Sequence, residues 1–373
     1  MSAAVRLPDR GLLDILSGSA DPVTDGWGTS AFYDAARAEG VLPVVLDCVA
    51  QRGWPGVSDQ LRARLERERD AAVALAALSS MDLIRVLAAL SAAGVHPLVI
   101  KGAALAHTHY ARPSHRPMID TDLLIRARDI DAAHAVFRSL GAEYIPHVTG
   151  SLVMSQFHYA STDRAGCQHV YDVHWRIANR QVFAAVLSYE EMAAQAIGVP
   201  ALGASARAPG TVHALLLACI HRAAHHGGTG PLIWLLDIHR LAGSLGDGES
   251  RSLVAEATSR AIAAVTEAAL RDAHAICGGI ATTRLAAALA GVAGEGAEPS
   301  ARFLTSRSRV SETLDELRAL PGGRPRLRLV REWIFPPAEY MRATYAPASR
   351  LPLPLLYLTR AVAGALGWHR QRF

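Results

Sequence analysis

Three short apolar runs, HPLVI at 96–100, IDTDLLI at 119–125 and HVYDVHW at 169–175, interrupt a chain whose apolar residues otherwise recur at helical spacing. A two-residue period places alternate side chains on opposite faces of a strand, whereas a 3.6-residue period gathers them on one helix face. The chain is therefore expected to build a small sheet inside a mostly helical protein. The predicted class is α+β: a small mixed-sheet core over 93–185, between an N-terminal helical region (1–92) and a C-terminal helical domain (186–373).

Punctuation along the chain supports this division. The segment from Asp59 to Gly94 reads as one long helix with a glycine stop, and Thr29 or Ser30 can cap an earlier one. A tight Lys-Gly turn joins HPLVI to a helix-like AALAHTHY, and DIDAAHAVFRSLG reads as a helix from Asp129 or Asp131 to Gly141. Residues 152–160 and 169–177 read as antiparallel neighbours. Beyond 186 the pattern is helical: TVHALLLACIHRAAHH and PLIWLLDIHRLAGSL flank a GGTG turn, and RSLVAEATSRAIAAVTEAALRDAHAICGG reads as one long helix.

Composition bounds the function classes. With 50% hydrophobic and 19% charged residues the chain has the makings of a packed core, not of a disordered segment. A net charge of +4 on 373 residues is weak evidence for nucleic acid. The four cysteines lack finger or C-x-x-C spacing and read as free thiols. No leader pattern is visible, and the apolar tail LPLPLLYLTRAVAGALGW is broken by prolines and Arg360, so a cytoplasmic protein without a membrane span is expected.

The chemistry concentrates in the strands. As a strand, IDTDLLI points Asp120 and Asp122 to one face among apolar neighbours. Two adjacent carboxylates repel and lose hydration on burial unless a cation lies between them. Mg²⁺ or Mn²⁺ with oxygen ligands would remove that cost and suits phosphate chemistry; an exposed acidic edge is the competing reading. In HVYDVHW, Asp172 and His174 again share a face, and Asp172 offers a third carboxylate.

Lys101 is the sole lysine, against 37 arginines. It stands beside Gly102 at a helix start, where backbone N–H groups can hold a phosphate and glycine permits close approach. A compact ammonium can serve the same phosphate in a way a planar guanidinium cannot.

In order, VIKGAAL, Tyr110, Arg116, IDTDLLI, the helix ending in LGA, and YDVHW resemble an uncharacterised bacterial nucleotidyltransferase family, whose hallmark reads LKG…Y…R…DIDLLV…G(F/Y)…(E/D)LHW. That family belongs to the polymerase-β-like nucleotidyltransferase superfamily. HALLLACIHRAAHH and LIWLLDIHRL resemble its helical C-terminal half, and the likeness spans roughly 75–245. The resemblance implies that Asp120, Asp122 and Asp172 are metal ligands and catalytic. It places Lys101 and Gly102 at the nucleotide-phosphate loop, although Lys-Gly-Ala stands where the superfamily has Gly-Gly or Gly-Ser. Thr121 replaces the middle isoleucine of the hallmark.

It further implies an enzyme moving a nucleoside monophosphate from an NTP, with Mg²⁺ or Mn²⁺, to a small-molecule, peptide or protein acceptor, in a peptide natural-product tailoring role. A tRNA- or protein-modifying enzyme, a phosphotransferase and a degenerate nucleotide-binding protein are the alternatives. Lys101 and Arg116 would neutralise charge on the departing phosphate, Asp172 could also help deprotonate the acceptor, and His115 could reach the nucleotide. Arg116 could equally be an ordinary loop residue paired with a carboxylate. His174, His221 and His225 are candidates for acceptor binding or support of the site, and Asp237, inside WLLDIH, is expected to pair with such a histidine. The arginines of 302–333 read as a solvated face balanced by Glu312, Asp315, Glu316 and Glu332, so RNA is the less favoured partner.

Overall fold

The computed structural model describes residues 10–17, 27–148, 150–226, 230–292, 298–304, 309–345 and 351–367. Its centre is a seven-stranded mixed sheet: β1 (Leu98–Val99), β2 (Thr121–Leu124), β3 (Glu143–Ile145), β4 (Gln156–Thr162), β5 (Gln168–His174), β6 (Ile197–Gly198) and β7 (Arg207–Ala208). The spatial order is β3-β4-β5-β2-β1-β7-β6. β2 runs parallel to β5 and β1 to β7, while the other neighbours are antiparallel. The α+β class read from the sequence is the class observed. β3, β6 and β7 carry too few residues for a periodic signal, and none of them was expected as a strand.

The alternation of each strand divides the sheet into two unlike faces. Leu123 and Ile125 of the β2 segment, with Tyr171, Val173, Phe157 and Tyr159, are buried on the back with Leu83, Val86, Leu87 and Leu90 of the Asp59–Ala92 helix and with Phe137 of the Ile130–Ser139 helix. Buried Asp82 pins the long helix to this back: it accepts from the Tyr171 hydroxyl at 2.6 Å and the Ser161 hydroxyl at 2.9 Å, and pairs with Arg85 at 2.6 Å. By length and composition alone this helix could cross a membrane. Its last third is spent instead on the core of the sheet.

The front face carries the polar residues. It adjoins a second core in which Leu98, Ile100, Leu105 and Leu124 join the helices Thr211–His226, Leu232–Ser244 and Ala263–Cys277. Gly94 closes the long helix with φ +77°, and Thr29 caps Phe32 N. The segment expected as one helix from 251 to 277 is two, Asp247–Ser259 and Ala263–Cys277. Ala261 adopts φ +54° at the break, Ile262 is buried, and Glu298 accepts the N–H groups of Ala263 and Ala264 at 3.2 and 2.9 Å. A helical propensity that ran through 260–262 was overridden by burial of Ile262 and by a cap supplied from far along the chain.

The C-terminal helices dock on the loop before β4. Glu332, on the Gly323–Ile334 helix, accepts N–H groups from Ser151, Leu152 and Val153 at 3.1, 2.8 and 2.9 Å, and the Ser151 hydroxyl at 2.9 Å. Burial opposes its ionisation, but these donors outweigh burial and hold its carboxyl below the ordinary value. Replacing Glu332 by alanine is expected to release the loop, with amide exchange at Leu152 and Val153 faster by about tenfold or more, the loss of charge-assisted hydrogen bonds being worth ~1.5–3 kcal/mol. Unchanged exchange would show the loop held by something else. The other acids of the arginine-rich stretch are also paired: Asp315 with Arg302 at 3.0 Å, and Glu312 with Arg180 at 2.9 Å.

Candidate functional site

The parallel pairing of β2 and β5 sets Asp122 opposite Asp172 and Leu124 opposite His174. β4, antiparallel on the other side of β5, sets His158 opposite Asp172 and Gln156 opposite His174. Five polar side chains, Asp122, Asp172, His174, Gln156 and His158, therefore share the front face at the middle of the sheet. Asp122, Asp172 and His174 are all buried. One ligand atom from each lies within 4.8 Å of those from the other two.

Lys101 completes the cluster. Its Nζ donates to Asp122 Oδ1 at 2.6 Å, and His174 Nε2 lies 2.8 Å from the same oxygen and 3.3 Å from Asp172 Oδ2. Gln156 Nε2 donates to Asp172 Oδ2 at 2.8 Å and is itself oriented by Asn179, which donates to Gln156 Oε1 at 2.9 Å. His158 Nε2 approaches Asp172 Oδ1 to 3.2 Å without hydrogen-bond geometry, so this buried oxygen has no donor among the described residues.

Lys101 also has an unusual backbone, φ +53° at the first residue of the Lys101–Thr108 helix. A non-glycine residue there costs energy of order 1–3 kcal/mol and persists only where its surroundings hold it. Here the hold is the buried ion pair with Asp122. The preceding Ile100 gives no side-chain cap, so the first-turn N–H groups keep their capacity for an anion.

Asp120 departs from expectation. It was read as part of the strand, but β2 begins at Thr121, and Ile119 beside it is 95% exposed. Asp120 is an exposed residue at the mouth of the cluster. Partial desolvation and then the charges of Asp122 and Asp172 raise its pKa, which places it near enough to act with them.

The electrostatics of the buried members run the other way. For Asp122 burial is the largest influence and favours the neutral acid, but Lys101 and His174 outweigh it and bring the pKa to about 2. Asp172 is likewise lowered against its burial, by His174 and His158. His174 is depressed by burial and Lys101, yet its two carboxylate partners leave it above its ordinary value. Asp122 therefore contributes stability above its ordinary pKa of 3.8 that is lost as pH falls through about 2. His174 contributes below its ordinary 6.5 and loses that contribution as pH rises through its raised value. The metal-free protein is expected to lose stability on both sides of this window, read as the urea midpoint from pH 2 to pH 9. A flat profile would mean that the cluster is uncharged.

Would a divalent cation fit? The orphaned Asp172 Oδ1, the facing Asp122 carboxylate and the raised pKa of Asp120 are what an oxygen-rich cation site leaves when no cation is present. His174 would add a nitrogen ligand through Nε2 on giving up its proton to the incoming ion. The residues fit such an ion.

The remaining candidates lie elsewhere. Gly102 lets the Arg116 guanidinium pack closely on it: a Cβ there would meet that group at 3.2 Å. Arg116 is buried and bound to Asp237, Nε to Oδ1 at 2.9 Å and an Nη to Oδ2 at 2.9 Å, and the Tyr110 hydroxyl donates to Asp237 Oδ1 at 2.7 Å. Asp237 was expected to pair with a histidine; its partners are Arg116 and Tyr110, because the 113–115 turn brings the arginine against the Leu232–Ser244 helix. His115 Nε2 faces Asp47 at 3.5 Å rather than the carboxylate cluster. His221 packs edge-on against Trp234, with ring centroids 5.0 Å apart, and the His225 side chain lies outside the described residues. His158, Gln156 and Asn179 were not anticipated. Alternate polar residues at 156 and 158 were the available signal, but only the strand register turns them toward Asp172.

Lys101→Arg is expected to lower turnover by at least about tenfold, less than the roughly 100-fold that removal of a preorganised donor costs. The planar fork cannot occupy a pocket shaped for one ammonium at 2.6 Å from Asp122. Turnover equal to wild type would remove Lys101 from the site.

No curated protein matches the chain. A sequence model of a family described as an uncharacterised nucleotidyltransferase matches residues 27–278, roughly two-thirds of the 373 residues and all seven strands. With the facing aspartates at the centre of that matched region, the chain belongs to the uncharacterised nucleotidyltransferase family and is an enzyme of the nucleotidyltransferase type.

Proposed function

We propose that the protein uses Mg²⁺ or Mn²⁺ to transfer a nucleoside monophosphate from an NTP to a hydroxyl of a small-molecule, peptide or protein acceptor. The observation that carries this reading is the buried, register-matched pair Asp122 and Asp172, flanked by Lys101 and approached by Asp120. Asp120, Asp122 and Asp172 would hold the metal, with His174 as a further ligand. When bound, the metal would screen the triphosphate and polarise the reacting oxygens.

In the reaction the acceptor oxygen attacks the α-phosphorus, a new O–P bond forms, the α–β phosphoanhydride breaks, and pyrophosphate leaves with the bond electrons. The acceptor proton would pass to a carboxylate of the cluster, with Asp172 the proposed base. Lys101 and the uncapped N–H groups of its helix offset negative charge on the departing pyrophosphate. A tailoring role on a peptide natural product, as the family resemblance suggests, is part of the same proposal.

The test uses NTPs labelled at the α- or γ-phosphate, with Mg²⁺ or Mn²⁺, against a panel of hydroxyl-bearing small molecules and peptides. Transfer of the α-label and its loss on chelation are expected. Transfer of the γ-label would make the enzyme a phosphotransferase and overturn the proposal.

A further inference from the structure

A second concavity opens where β2 and β5 end. Leu124, Arg126, Trp175, Arg176, Leu187 and Tyr189 are among the residues that wall a cavity of about 420 Å³. That volume lies within the range of about 300–1,000 Å³ common to small-molecule sites. Leu124 is the register partner of His174, so the cavity begins immediately past the carboxylate cluster on both strands.

Its walls combine apolar and aromatic surface with guanidinium groups. Arg126 stacks on the Tyr189 ring, 4.4 Å from its centroid, and pairs with the exposed Glu190 at 3.3 Å. Arg176 is partly buried, and its hydrogen bond goes to a neutral acceptor, Gln181 Oε1 at 3.2 Å. The carboxylate it senses, Glu316, is committed to Gln181 N at 2.7 Å and to Arg180 at 3.5 Å. A partly buried cation with no ion pair among the described residues, beside an indole and a phenol, is suited to an organic anion.

We propose that this cavity is a ligand site distinct from the carboxylate cluster, taking a carboxylate or phosphate attached to an apolar body. Arg176 and Arg126 hold the charged group, and Trp175 and Leu187 line the apolar part. The buried Leu124 and His174 follow Asp122 and Asp172 along the two strands and lie between that pair and this cavity, so a ligand seated here is held apart from the carboxylate cluster.

The test titrates the metal-free full-length chain with hippurate, hippuramide and phenyl phosphate by calorimetry. At least one anion is expected to bind at least about tenfold tighter than hippuramide, and Arg176→Gln to weaken it by about tenfold or more. Arg176→Lys should recover part of the loss, and Asp122→Asn should change it by less than about twofold. The tighter of the two anions identifies a carboxylate or a phosphate ligand. Equal affinity for hippurate and hippuramide, no binding of either anion, or an Arg176→Gln protein of native near-ultraviolet dichroism that binds as wild type would each overturn the proposal. Displacement of the anion by ATP with Mg²⁺ would also overturn it, by making the cavity part of the nucleotide site. If α-label transfer fails while these affinities hold, the nucleotidyl-transfer reading falls and the anion site stands.

Discussion

Asp122→Asn is expected to lower nucleotidyl transfer by at least about 10³-fold, roughly 4 kcal/mol of transition-state stabilisation. Asp122 is the point on which the cluster converges: one oxygen receives Lys101 at 2.6 Å and His174 at 2.8 Å, and the residue faces Asp172 across the parallel strand pair. The amide keeps the shape but removes the charge that a divalent ion and Lys101 both need. Folding should survive, because the lost ion pair is partly offset by relief of repulsion between Asp122 and Asp172. The measurement is turnover of α-labelled NTP alongside far-ultraviolet dichroism. A folded variant with more than about a tenth of wild-type turnover would remove Asp122 from the chemistry.

Asp237→Ala is expected to destabilise the fold by about 3–5 kcal/mol, the cost of leaving one member of a buried ion pair alone. Asp237 binds the Arg116 guanidinium through two of its nitrogens and also takes the Tyr110 hydroxyl, so its removal strands a buried cation and a buried phenol together. This network ties the turn before β2 to the C-terminal helices, and through Gly102 it backs the Lys101 turn. The double variant Arg116→Met, Asp237→Leu should recover much of the loss, since two apolar side chains leave no buried charge. Urea unfolding of the three proteins decides the matter: a single-variant loss below about 1 kcal/mol would make the pair a surface-like contact.

How much of this was legible follows from what each signal can carry. The oddity of one lysine among arginines marked the residue that now shows both a buried ion pair with Asp122 and a left-handed backbone. Strand alternation put Asp122, Asp172 and His174 on matching faces, and register then made them neighbours. Alternation failed at Asp120, because the run IDTDLLI does not reveal that Ile119 is exposed and that pairing starts two residues later. It could not supply His158 or Gln156, whose relevance exists only in their pairing with β5. Nor could it match Arg116 with Asp237, 121 positions apart, since periodicity is local and that pair is not. The helix break at Ala261 escaped for the same reason: its cap is Glu298.

The most direct test of the account is Mn²⁺ binding followed by electron paramagnetic resonance, because it needs no acceptor. The wild-type protein should bind Mn²⁺, and its resonance should change when ATP is added. Asp122→Asn combined with Asp172→Asn should abolish both the binding and the response. Undiminished Mn²⁺ binding by that double variant would contradict the assignment of the Asp122, Asp172 and His174 cluster as the metal centre.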